Sequence, residues 1–171
     1  MISPSATSPA LSTIADNGYF FRTAPSDARQ GQVLAQITME RGINEVAVTF
    51  TNNDYGKGLS DSFINAYQGL GGKVSAIVPH DEGKADYSAE VGALDASGAE
   101  VLAVFGYVDQ GGRHIIQGSI DSGAFDKFIL ADGMFGDSLL ANVDGDLSGT
   151  FGTVPGTDSK GADRFAAMAK T

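Results

Sequence analysis

V-A-V-T-F-T-N-N-D-Y-G-K-G, residues 46–58, decides the fold. Five apolar or β-branched residues, 46–50, have the length and composition of a short buried strand, and the polar run that follows cannot continue it. The chain has to turn there. Asn52, Asn53 and Asp54 favour a turn, and Gly56 and Gly58 widen the backbone choices. Leu59, Phe63, Ala66, Tyr67 and Leu70 then recur at helical spacing. The order is strand, loop, helix, and in an open α/β sheet the loop at the carboxyl end of a strand is where ligands collect.

The unit recurs. Apolar strand runs begin at Val46, Val74, Val101 and Phe128, steps of 28, 27 and 27 residues, each the length of one βαβ unit. Helical patterns fall between them: Val91 and Leu94 after a start at Asp86 or Ser88, and Ile115, Ile116 and Ile120 within residues 110–122. Right-handed crossovers then require a three-layer, doubly wound parallel α/β sheet with helices on both faces. Upstream, Ser26 caps a helix predicted over 27–41, carrying Val33, Leu34, Ile37 and Met39 and stopped by Gly42. Residues 19–22 read as a short aromatic strand. Ser8 and Pro9 read as the N-cap and first position of a short helix reaching residue 15. Beyond Asp132 the pattern weakens to a helical turn at 138–142, a strand at 151–154 and a helix at 162–170. A strand at the very start and a last helix without a cap are the marks expected of a segment of a longer protein.

The 171 residues, 42% hydrophobic, suffice for one core and leave little room for a second domain. With 11 basic and 21 acidic residues the net charge is −10, which disfavours nucleic acid and anionic membranes as partners. The chain has no cysteine, which excludes disulfides, thiolate nucleophiles and Cys-ligated zinc but fits either redox compartment. The longest apolar run, 101–105, is far too short to span a bilayer, and no secretion signal is evident.

Catalytic motifs are missing. Gly56 and Gly58 are followed by Asp61 where a dinucleotide fingerprint needs its third glycine, and neither a Walker loop nor G-x-S-x-G occurs. His80, after a strand, and His114, on a helix, lack a matched nucleophile and read as surface or satisfied histidines. Asp144, Asp146 and Ser148 copy the first half of a calcium loop, but Pro155 stands where the bidentate glutamate belongs, so a surface turn is expected. Asp54 at a strand end lacks the paired acids of a phosphoryl-aspartate switch. No metal, cofactor or catalytic residue is called for.

What remains is a set of binding groups. Ser5 and Thr7 lie near a predicted helix N-terminus, whose free N–H groups suit a carboxylate. Tyr55, Tyr107 and Asp132 each follow a predicted strand, and a parallel sheet brings such positions to one edge. Two hydroxyls, two aromatic faces and a carboxylate could thus meet around a small zwitterion. The alternative is two ordinary half-buried tyrosines and a turn aspartate.

I-S-P-S-A-T-S-P, F-F-R-T, N-D-Y-G-K-G, D-Y-S-A-E-V, G-Y-V-D-Q and I-L-A-D-G, in that order over nearly the whole chain, resemble the branched-chain amino-acid-binding proteins, type I periplasmic solute receptors of ABC importers. The resemblance implies a two-lobed receptor of about twice this length that closes on its ligand by a hinge. Residues 1–22 would be hinge and first-lobe-derived, 23–155 the second lobe, and 156–171 the start of the return to the first lobe. By position, Ser5 and Thr7 match residues that hold the ligand α-carboxylate and α-amino group. Tyr55 and Tyr107 match aromatics that close over the ligand, and Asp132 falls where an acidic residue, often glutamate, meets the ammonium. The implied function is solute binding for an ABC permease in a periplasmic or extracellular setting. The competing reading is the sensory domain of a receptor or regulator with the same fold; an α/β enzyme is a third. The terminal helix, with Phe165 and Met168 deprived of the missing lobe, is expected to be disordered, swapped or engaged in dimer contacts.

Overall fold

The computed structural model describes residues 1–156 and Met168. The deciding stretch forms strand β3 (Glu45–Thr51) and then helix α2 (Asp54–Gly69) with only two residues between. Asn53 makes that short junction work: its side chain accepts a hydrogen bond from Gly56 N at 2.8 Å and caps the helix. Gly56 is required there because a Cβ would lie 2.3 Å from the Thr51 carbonyl oxygen.

In chain order the other elements are β1 (Ile2–Ser3), β2 (Phe21–Arg22), α1 (Asp27–Glu40), β4 (Lys73–His80), α3 (Ser88–Asp95), β5 (Leu102–Phe105), α4 (Arg113–Ser122), β6 (Phe128–Leu130), α5 (Asp137–Asn142) and β7 (Phe151–Gly152). Among the described residues the main sheet has five parallel strands in the order β4-β3-β5-β6-β7, one more than the four strand runs of the repeat. β1 and β2 pair in parallel as a separate two-stranded sheet.

Both faces of the sheet are covered, as the continuous apolar runs require. Val46 and Val48 of β3 and Phe105 of β5 pack under Leu34 of α1 and Leu59, Phe63 and Tyr67 of α2. The alternate residues Ala47, Leu102 and Val104 face Val91 and Leu94 of α3 and Ile115 and Ile116 of α4. From β3 the chain runs through α2 to β4 on one side, then returns through α3 to β5 on the other. The carboxyl ends of β3 and β5 therefore flank a topological switch point, where the loops diverge and leave a crevice.

Several expectations are corrected, while the surface turn at Asp146 and a satisfied His80 are as expected. The helix expected from Pro9 to residue 15 is a single 3-10 turn, Pro9–Ser12, whose N-cap Ser8 makes no side-chain cap bond; such a turn presents no helix dipole, so Ser5 and Thr7 do not sit at a helical anion site. The aromatic strand is cut to Phe21–Arg22 because Asp16 accepts hydrogen bonds from Gly18 N (3.0 Å) and Phe20 N, prolonging the preceding turn. The helix expected from 110 starts at Arg113, after a π turn over Val108–Gly112 in which Gly111 takes φ 104°. The strand at 151–154 shortens to Phe151–Gly152. Asp146 spends both carboxylate oxygens on Ser148, bonding its N and Oγ at 2.7 Å each, in a surface turn. His80 is a satisfied core histidine: its Nδ1 and Nε2 pair with the Thr49 and Thr51 hydroxyls at 2.8 and 3.1 Å, and burial pushes its pKa down to about 4. The helix expected over 162–170, and the packing of Phe165, lie outside the described residues. Among the described residues no helix is long and apolar enough to cross a membrane.

Candidate functional site

The carboxyl ends of β3, β5 and β6 each deliver one side chain to the crevice. Tyr55 stands in the first turn of α2, Tyr107 beyond the end of β5 with Gly106 between, and Asp132 in the 3-10 turn after β6. The Tyr55 hydroxyl donates to Asp132 Oδ1 at 2.8 Å and accepts from Gly133 N at 3.3 Å. The Tyr55 and Tyr107 rings pack with centroids 4.8 Å apart and planes tilted by 32°, a favourable offset geometry. Gly133 permits this convergence, since a Cβ there would lie 2.2 Å from the Gly106 carbonyl oxygen and 3.1 Å from the Tyr55 hydroxyl.

A fourth element enters from α1. Ser26 caps that helix by accepting from Ala28 N at 3.3 Å, and one turn later Gln30 Nε2 donates both to Asp132 Oδ1 at 2.9 Å and to the Thr153 carbonyl at 3.0 Å. Oδ1 of Asp132 is therefore held from two sides. Among the described residues no hydrogen bond ends on Oδ2, which leaves that oxygen for a donor in the cleft.

Ser5 and Thr7 arrive on the segment leading from β1. Arg22 clamps that segment, its guanidinium donating to the carbonyls of Thr7 (3.2 Å) and Ser8 (2.8 Å) and to Ser12 Oγ. Asp27 N donates to the same Thr7 carbonyl at 2.9 Å. All five residues singled out in the sequence, Ser5, Thr7, Tyr55, Tyr107 and Asp132, line one open cleft of about 1300 Å³ together with Arg29, Gln30 and Thr153. A neighbouring groove of about 720 Å³ shares Ser5, Thr7, Tyr55 and Tyr107. The exposure is unequal: Ser5 is exposed, Thr7, Tyr55 and Asp132 are half-buried, and Tyr107 keeps 42% of its surface open.

Among the described residues the 1300 Å³ cleft is lined by one acidic residue, Asp132, and one basic residue, Arg29. Burial, followed by the charge of Asp132, raises the Tyr55 pKa far above that of a free phenol, and the same causes raise that of Tyr107. Both therefore stay neutral hydroxyls. Burial also raises the Asp27 carboxyl from 3.8 to about 6, helped by repulsion from Asp132 and opposed by the Thr7 side chain and Arg22.

Sequence reasoning missed Asp27, Gln30, Arg22 and Thr153. Arg22 and the 26–30 stretch were visible as F-F-R-T followed by a capped helix, but an aspartate in the first helical turn reads as a partner of the helix dipole rather than as a buried group.

The match to known proteins agrees with this architecture. A family model described as periplasmic binding protein covers residues 1–171. The chain belongs to the periplasmic binding protein family. The curated relatives that this periplasmic binding protein matches include Leu/Ile/Val-binding protein homologues. It is 30% identical over 174 residues to the Leu/Ile/Val-binding protein homolog 1 of Brucella abortus (strain 2308), covering 98% of this chain and 46% of that protein. Among solved structures, the leucine binding protein LivK of Thermotoga maritima superposes with a TM-score of 0.84 at 24% identity, covering 99% of this chain and 49% of the other. An ABC transporter substrate-binding protein of Desulfitobacterium hafniense in complex with Leu gives a TM-score of 0.63 at 24% identity, covering 78% and 39%. At these identities the structures speak to the fold. The chain spans about half the length of the relatives it matches.

Proposed function

We propose that this chain is the second lobe of a two-lobed solute receptor of an ABC importer, acting in the periplasm or outside the cell, and that it binds an amino acid or a similar amine-bearing carboxylate. In this reading residues 1–22 supply hinge and first-lobe-derived segments, 23–155 the lobe, and 156–171 the return toward the first lobe. The cleft is completed by the opposing lobe on closure, and the loaded receptor docks on a permease.

One observation carries the reading: Tyr55 and Gln30 anchor a single oxygen of Asp132, leaving the other toward a cleft that Ser5, Thr7, Tyr55 and Tyr107 also line. A carboxylate with one oxygen fixed and one free suits an ammonium, and the paired tyrosine rings offer it a cation–π face. Ser5 and Thr7 supply hydroxyls for the ligand carboxylate and amine. Helix-dipole binding of that carboxylate is not part of the mechanism, because the turn beside them is too short.

Titration calorimetry of the two-lobed receptor against an amino-acid panel tests the proposal. Removing the charge with Asp132→Asn is expected to weaken binding by about 2 to 5 kcal/mol, roughly 30-fold or more. Unchanged affinity in that variant, or a preferred ligand without an amine, overturns the assignment.

A further inference from the structure

Gln30 enters the cleft from the start of α1 with its amide orientation fixed by chemistry. Both Nε2 protons are spent, one on Asp132 Oδ1 at 2.9 Å and one on the Thr153 carbonyl at 3.0 Å. Turned over, the amide would set Oε1 against two acceptors and lose both bonds, so one orientation fits. That holds Oε1 in place as well, and among the described residues nothing donates to it. The oxygen is not sealed in. Gln30 is half-buried and lines the cleft beside Asp132, and neither Gln30 Oε1 nor Asp132 Oδ2 is among the buried oxygens that lack a partner.

The cleft therefore holds two accessible, unpartnered oxygens, one charged and one neutral. Two covalent bonds on either side of the 2.9 Å hydrogen bond separate them, which makes them neighbours. The state of Oδ1 narrows what fits between them. It already accepts from Gln30 and from the Tyr55 hydroxyl at 2.8 Å, so a guanidinium, whose paired N–H groups call for both oxygens of a carboxylate, finds one of them taken. An ammonium spreads its three N–H groups over acceptors on separate side chains.

We propose that Gln30 is a ligand-contacting residue, its Oε1 accepting one N–H of the ligand ammonium while Asp132 Oδ2 accepts another, and that the cleft thereby selects a primary ammonium over N-methylated amines and guanidines. The inference rests on the amine-bearing ligand proposed above and adds the residue that counts its N–H groups. With a hydroxyl of Ser5 or Thr7 as the third acceptor, every N–H of a primary ammonium is met. Each N-methyl group removes one N–H and leaves an acceptor without a partner in the closed cleft. A site built around such bonds rejects analogues that lack them, and one hydrogen bond from a charged donor is worth about tenfold or more in affinity.

The test combines carbonyl NMR and titration calorimetry on the two-lobed receptor, in wild type and in the near-isosteric Gln30→Met. L-leucine and N-methyl-L-leucine serve as probes and 4-methylpentanoate, leucine without its amine, as control. In wild type the Gln30 Cδ resonance is expected to move downfield with L-leucine and to stay in place with 4-methylpentanoate. N-methyl-L-leucine should bind about tenfold more weakly than L-leucine. Gln30→Met should weaken L-leucine more than its N-methyl derivative and so close that gap. A Gln30 Cδ resonance that stays fixed while the Tyr55 and Tyr107 ring signals report bound leucine overturns the proposal. Equal losses for the two amines in Gln30→Met also overturn it, since a residue that only steadies Asp132 would weaken both alike. Either result leaves the amino-acid reading standing. Ring signals that respond to no amine-bearing acid defeat both.

Discussion

Asp27→Asn should make this protein more stable at neutral pH, not less. In the folded state burial moves the Asp27 midpoint from 3.8 to about 6. For an acid whose folded pKa is raised, the native state binds the proton more tightly than the unfolded chain, so ionisation costs stability. The cost is fully present above about pH 6 and gone below about 3.8. At about 1.4 kcal/mol per pH unit the full cost is about 3 kcal/mol, from which an asparagine amide with unmet hydrogen bonds returns about 1 kcal/mol. The net gain expected at pH 7.5 is about 2 kcal/mol, shrinking to nothing or a slight loss near pH 4. His80 supplies the opposite slope. Its folded midpoint is depressed from 6.5 to about 4, so its contribution is complete above about pH 6.5 and is lost as pH falls toward 4, again by about 3 kcal/mol. In wild type the two slopes oppose each other between pH 4 and 6; in Asp27→Asn the histidine's acid loss is uncovered. Urea denaturation followed by far-UV circular dichroism, at half-unit steps from pH 4 to 8, measures both curves, and their difference cancels the other ionisable groups. A destabilised Asp27→Asn protein at pH 7.5, or two parallel curves, would refute the reasoning.

Gly133→Ala places a Cβ 2.2 Å from the Gly106 carbonyl oxygen, so the loops after β5 and β6 must separate; a loss of about 1 to 3 kcal/mol is expected in a chemical melt, together with weakened Tyr55–Asp132 contact seen as a shift of the Tyr55 ring signals. Tyr67→Phe removes the donor to the Ile43 carbonyl, a 2.9 Å bond from a fully buried ring. Its expected cost is about 1 kcal/mol with ligand binding unchanged, and a neutral result by the same melt would show that water replaces the hydroxyl.

The parallel sheet was legible in the sequence because a strand buried on both faces must be apolar throughout, and the chain repeats such runs at the length of a crossover. Val46 and Ala47 look alike as letters and end up in different cores, yet the inference needs only that both be apolar. Tyr55, Tyr107 and Asp132 were legible for a related reason: in a parallel sheet every strand ends at the same edge, so their positions after strands sufficed to bring them together. Local patterning picked out Ser5 and Thr7 by tying them to a helix that proved to be a single 3-10 turn, and the resemblance added their roles. There the competition between weak local signals, with Ser12 and Thr13 interrupting the apolar run, was beyond a pattern reading.

Tertiary structure alone decided the charge balance of the cleft. The bond from Gln30 to Asp132 joins residues 102 apart in the chain, and the coupling of Asp27 to Asp132 spans a similar distance in sequence. Neither is encoded in a window that periodicity can sample. Burial of Asp27 is likewise a property of what the fold stacks around a helix start, since the same serine-aspartate pair on an open helix would be solvated. Sequence fixes which groups can ionise and roughly which edge they reach; desolvation and pairing, which set the protonation states, depend on distances that only the assembled layers define.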